Sequence, residues 1–375
     1  MQTENTLLNL PTVHIEPELS QIVKKVFNNE RITDSDALTL YTKADLSLLG
    51  VLATHVRTQK NGKKTFFNRN FHIEPTNICI YSCKFCSYVR KINQEGAWEY
   101  TFDDIEALCQ KYIGTGVTEV HIVGGVHPKR DLHYYGEMIK KVKSVLPEVH
   151  VKAFTAVELE FMIRKAKMTL EEGLIALKNY GLDSIPGGGA EIFAEEIRSK
   201  ICDEKASTNN WLQIHEIAHS LGIPSNATML YGHIENYEHR VDHMRRLREL
   251  QDRTGGFNTF IPLKYRKANN EMSYLGEVNT IEDLKNYAVA RIYLDNFRHL
   301  KAYWPMIGKE TTQISLSFGV DDIDGTIDDT TKIYSMAGAE NKNPVMTTEN
   351  LVKLVKEAGM QPIERDTVYN TIKEW

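Results

Sequence analysis

No stretch of this 375-residue chain approaches the ~18 consecutive apolar residues that a membrane span requires. The first residues, Met1-Gln-Thr-Glu-Asn5, lack the basic run and apolar core of a secretory leader. Positive charge is not in excess. A formal net charge of -5 and a pI near 6.2 leave no footprint for a polyanion. A local basic run, Arg57 to Lys64, is short enough to be a solvated hairpin or loop. Nucleic acid and membrane partners are therefore not expected. There is no low-complexity tract and no short internal repeat. Cysteine is sparse, at five residues, and its placement does not suggest a disulfide framework. A reducing cytoplasm is the expected location.

Three of those five cysteines fall within eight residues, Cys79-Ile-Tyr-Ser-Cys83-Lys-Phe-Cys86. Three thiolates at this spacing can hold three irons of one cubane [4Fe-4S] cluster, leaving the fourth iron open to a small molecule. An electron carrier needs four cysteines per cluster. Structural zinc also wants four ligands, usually as two separated pairs, and only His72, seven residues upstream, offers itself as a fourth. Cys109 and Cys202 lie in helix-like contexts and read as buried small hydrophobes.

The rest of the chain alternates. Residues 17 to 57 read as helical. Strand-like runs are expected at Phe71–Glu74, Glu119–Val123, Val149–Phe154, Leu182–Ile185, Pro224–Met229, Phe257–Leu263, Leu300–Trp304 and Ile314–Phe318. Thr33 with Asp36, Thr101 with Asp104, Thr169 with Glu172 and Thr280 with Asp283 mark helix starts, and Gly181 a helix end. Such alternation predicts an α/β fold, a parallel (β/α)8 barrel of TIM type over 70–345. Residues 1–69 form an N-terminal leader and helical segment, and 346–375 a C-terminal helical tail. The cysteine run directly follows strand one, at the barrel end where chemistry sits.

Other strand ends carry chemistry-bearing residues. Gly124 and Gly125 allow close backbone approach to a ligand, or simply a tight turn. Pro186-Gly-Gly-Gly-Ala-Glu191 opens onto a ligand through Glu191, or is a turn with a helix-capping glutamate. Asn226 and Thr228 alternate with apolar residues, so both face one way, toward a ligand or toward each other. His233 is a candidate acid or ligand, though a lone histidine is more often structural. Lys264, Tyr265 and Arg266 follow strand six; cations there suit carboxylates, or are solvated rim charges. The acidic run Asp321-Asp-Ile-Asp324 lacks the register of a calcium loop.

The cysteine spacing, with Phe85 before the third cysteine, resembles the radical S-adenosylmethionine (SAM) superfamily. The resemblance implies a [4Fe-4S] cluster on Cys79, Cys83 and Cys86, with SAM on the open iron. Phe85, Gly124, Gly125, Glu191 and Asn226 would line the SAM site. Many members carry Glu after the two glycines, where this chain has Val126. The segments 70–77, 186–191, 225–232 and 316–322 resemble one subgroup, which contains the aminofutalosine synthases, dehypoxanthine futalosine cyclases and deazaflavin-forming enzymes. His72 to Asn77 and Phe260 to Tyr265 are most similar to the synthases; the cyclases usually have tryptophan where Leu263 stands. This implies a menaquinone-pathway transferase. It would add the 5'-deoxyadenosyl radical to 3-[(1-carboxyvinyl)oxy]benzoate, release bicarbonate and form 6-amino-6-deoxyfutalosine. His72, Thr228, His233 and Arg266 are the candidate substrate contacts, and flavodoxin or ferredoxin the expected electron donor. The rivals are the cyclase, the deazaflavin-forming enzyme and a non-enzymatic electron-transfer module.

Overall fold

The computed structural model describes residues 16–326, 332–338 and 345–375. Three helices lead in: Pro17–Phe27, Asp34–Lys43 and Leu46–Asn61. The second is fixed by a full capping box between Thr33 and Asp36. Strand β1 (Lys64–Phe67) then precedes the barrel. Strands β2 (Asn70–Ile73), β3 (Glu119–Ile122) and β4 (His150–Ala153) pair in parallel, with Asn70 opposite Glu119 and Glu119 opposite His150. Single bridges from Lys152 to Ser184 and from Ile185 to Ser225 carry the sheet onward. Parallel pairing continues through β5 (Ser225–Tyr231), β6 (Phe257–Lys264), β7 (His299–Ala302) and β8 (Asp322–Ile323). A bridge between Arg69 and Thr326 closes the ring beside β2.

The barrel is thus an eight-membered parallel ring, as the alternation predicts. Helices cover it with apolar stripes. Leu132–Val145 buries Leu132, Tyr135, Met138, Ile139 and Val142, positions that share one helical face. The cap pairs at Thr101/Asp104 and Thr169/Glu172 form complete capping boxes, and Gly181 ends its helix at φ +107°.

Four expectations change. Ile314–Phe318 is not a strand: Lys309–Ser315 is helical, and the eighth strand is Asp322–Ile323. Strand seven starts one residue early, at His299, and Trp304 already opens a helix. The cap of Thr280–Tyr293 is Asn279, not Thr280. The tail is helical over Thr348–Glu357, then adds β9 (Gln361–Arg365), parallel to β1, and β10 (Thr371–Glu374), antiparallel to β9.

The barrel floor is ionic rather than aliphatic. Lys152 meets Glu119 at 2.5 Å, Arg365 meets Asp322 at 2.6 Å, and Lys301 meets Asp324 at 3.3 Å, all buried. Burial opposes the charge on Glu119, but Lys152 and Lys301 hold its carboxyl well below the usual range. Removing either member of such a pair would strand its partner.

Candidate active site

The cysteine loop leaves β2 and is tied down from both sides. Residues 76 and 78 bridge to Glu99 and Arg90. The Cys79 amide donates to Arg90 O at 3.1 Å, and the Cys86 amide to Cys83 O at 3.0 Å. All five cysteines are free. Cys79, Cys83 and Cys86 line one cavity of about 280 Å³; Cys109 and Cys202 are buried outside it. Burial pushes the Cys83 and Cys86 thiols up.

A buried cation sits beside them. Lys205 meets Glu191 at 2.5 Å and lies 5.4 Å over the Phe85 ring. Burial opposes its charge, yet Cys83 and Glu191 raise its pKa overall. Nothing in the sequence marks Lys205 except its place in a polar loop.

The three cysteines share one cavity wall. Among the described residues no three His, Cys, Asp or Glu groups gather where one ion would hold them. A tetrahedral zinc would draw its sulfurs to within about 3.8 Å of one another, whereas a cubane spreads them over three irons. His72 is not a fourth ligand at this loop. It lies on β2 outside the cavity wall, its ring edge-on to His121 at 4.8 Å, and burial lowers its pKa to about 4.

Gly124 and Gly125 both line the cavity, and the cysteine loop presses on them from behind. The Gly125 amide donates to Thr76 O at 2.7 Å, and Ile80 N to Val126 O at 3.0 Å. The glycines therefore serve the loop as much as any ligand.

Glu158, which the sequence hides as a helix-capping residue, accepts from the Gly124 amide at 3.0 Å and from Thr155 N and Oγ1. It lines the cavity, and burial raises its pKa to about 7. Its proton is then held between about pH 4.5 and about 7 in the folded state only, so stability falls as pH rises through that window. The shift corresponds to about 3 kcal/mol. Urea midpoints of wild type and Glu158→Gln, compared at about pH 5 and about pH 7.5, should differ by that change. Taking the difference cancels the opposite contribution of the buried histidines. Parallel pH profiles would refute the assignment.

Asn226 and Thr228 of β5 both line the cavity. The Thr228 hydroxyl donates to Gly187 O at 2.8 Å, so part of its polarity is spent inside the wall. His233 is not in the cavity wall. It sits 3.2 Å from Glu235, and its Nε2 lies 3.2 Å from Leu230 O, a structural arrangement. Arg266 does reach the cavity. Its guanidinium donates to Met306 O at 3.2 Å and Gly338 O at 2.7 Å, and meets Glu277 at 3.4 Å. Lys264, Lys152 and Lys301 line the same space, each paired with a carboxylate.

Residues 73–247 match the Radical SAM superfamily, and residues 254–374 the CofH/MqnC C-terminal region. The aminodeoxyfutalosine synthase of Thermus thermophilus is 44% identical over 96% of this chain and 97% of its own. The chain belongs to the aminodeoxyfutalosine synthase family of radical SAM enzymes. The Streptomyces coelicolor aminodeoxyfutalosine synthase is 41% identical, covering 95% of this chain and 94% of its own. The cyclic dehypoxanthine futalosine synthase of the same organism is 36% identical, covering 94% and 88%. Among solved structures, methylornithine synthase superposes with a TM-score of 0.73 at 17% identity, over 91% of this chain and 97% of that one. That likeness shows the fold alone. The cysteine loop, the two glycines and Lys205 all line the one cavity. No helix among the described residues is long and apolar enough to cross a membrane.

Proposed function

We propose that this synthase joins the adenosyl group of SAM to 3-[(1-carboxyvinyl)oxy]benzoate, giving 6-amino-6-deoxyfutalosine and bicarbonate. One observation carries the reading: a single cavity is lined both by the three cysteines and by cationic side chains, Arg266 and Lys264 among them. When bound on Cys79, Cys83 and Cys86, a [4Fe-4S] cluster supplies the electron that breaks the sulfonium bond of SAM. Phe85, Gly124, Gly125, Glu191 and Asn226 shape the SAM end. Lys205 brings a positive charge within reach of a carboxylate there. Arg266, which also meets Glu277 at 3.4 Å, lines the same cavity and can hold a substrate carboxylate. The apolar wall formed by Val123, Val126, Val157, Leu230, Ile261 and Leu263 excludes water from a radical carbon. An acidic one-electron carrier, flavodoxin or ferredoxin, fits as the donor, in a reducing cytoplasm.

The test is anaerobic incubation of the reduced protein with the enolpyruvyl ether and SAM labelled in its ribose carbons. Labelled aminofutalosine should form, one SAM consumed per turnover. Free labelled 5'-deoxyadenosine as the main product would replace this reading with hydrogen abstraction, the cyclase chemistry.

A further inference from the structure

Lys91 stands just past the cysteine run and lines neither the cavity nor its mouth. Its ammonium lies 3.2 Å from Cys79 O, 3.0 Å from Ile80 O, 3.2 Å from Tyr81 O and 3.1 Å from the Ser82 hydroxyl. Three consecutive backbone carbonyls thus aim their negative ends at one point. Without a cation there, those dipoles would repel each other and the turn would relax. The position of Lys91 is itself fixed. Arg90 bridges to Ile78, and the Lys91 amide donates to Gln94 Oε1 at 2.8 Å. The ammonium is therefore delivered to the loop by a backbone already registered against it.

We propose that Lys91 is a positioning residue for the first cysteine arm. It holds the backbone of Cys79 to Ser82 in the turn that presents Cys79, and it places a fixed positive charge against that arm. The second half rests on the reading of the three cysteines as the cluster site. A cation so close favours the reduced, more negative state of a group held by Cys79, so its loss lowers the reduction potential. Lysine suits the task because a compact ammonium can meet acceptors from three directions; the planar fork of arginine cannot.

Two readouts decide it, on the full chain before and after anaerobic iron and sulfide loading. In Lys91→Met, the Cys79 and Ile80 amides, which donate to Arg90 O and Val126 O, should exchange hydrogen roughly ten- to a hundredfold faster. The loaded variant should have a more negative midpoint potential by spectroelectrochemistry. Lys91→Arg should recover the potential and only part of the exchange protection. Wild-type exchange in Lys91→Met, or an unchanged potential in it, overturns the proposal. If the wild-type chain takes up no iron at all, the cluster reading fails, and the exchange comparison on the unloaded chain still decides what Lys91 does for the loop.

Discussion

Cys83→Ala should abolish cluster loading and SAM consumption, while Cys109→Ala and Cys202→Ala should retain both. The contrast is sharp because all five thiols are free and only three reach the cavity. Cys202 is the stringent control. It is buried and close enough to Cys83 to raise that thiol's proton affinity. Its removal should cost about 1 kcal/mol of stability, the ordinary cost of trimming a small core residue. Iron and sulfide analysis with Mössbauer spectra would read the outcome. Full iron content in Cys83→Ala, or loss of iron in Cys202→Ala, would show that the ligand set is misassigned.

The second large effect is expected at Gly125. A Cβ there would stand 2.3 Å from Ile78 O and 2.7 Å from its carbonyl carbon. Those are backbone atoms, one residue before Cys79, and they cannot swing aside as a side chain would. Gly125→Ala must therefore push the cysteine loop or the end of β3. Overpacking of this kind costs about 1–3 kcal/mol; the larger consequence is a displaced Cys79. Iron content should fall severalfold, with SAM affinity falling alongside. Gly276→Ala is the matched control, since its added methyl would meet nothing within 4 Å. Normal iron content in Gly125→Ala would mean that the loop has more freedom than its hydrogen bonds imply.

Features that rest on local chemistry were readable from the residues. The cysteine spacing, the Thr–Asp and Thr–Glu capping boxes and the Gly181 helix end each act over a few neighbouring residues, and the structure has them in place. Features that rest on distant partners were not. Ile314-Ser-Leu-Ser-Phe318 alternates like a strand, but Ser315 is buried against Thr312 through its hydroxyl and the segment finishes a helix. The true eighth strand is two residues long, and Arg365, Lys301 and Arg291 meet the carboxylates of Asp321 and Asp322 there. Thr280 with Asp283 has the spacing of a cap pair, but Asp283 receives Lys264 and Tyr231 across the barrel wall. Lys205 and Glu158 escaped for the same reason. Their roles come from what folding sets beside them, and a lone lysine or a third-position glutamate carries no such mark in one dimension.

β1 runs hydrogen-bonded between β8 on one side and β9 on the other. Its partners come from the opposite end of the described chain, so these contacts cannot form early by local search. Loop-closure entropy delays pairings of this span, and folding through them is slow. Until β8 and β9 arrive, Lys64 to Phe67 presents an unpaired edge carrying two phenylalanines, Phe66 and Phe67, that are buried in the finished molecule. Such an edge is adhesive. The seam between the two ends of the chain is therefore where incomplete molecules would associate with one another, and where yield at high temperature or high concentration is set.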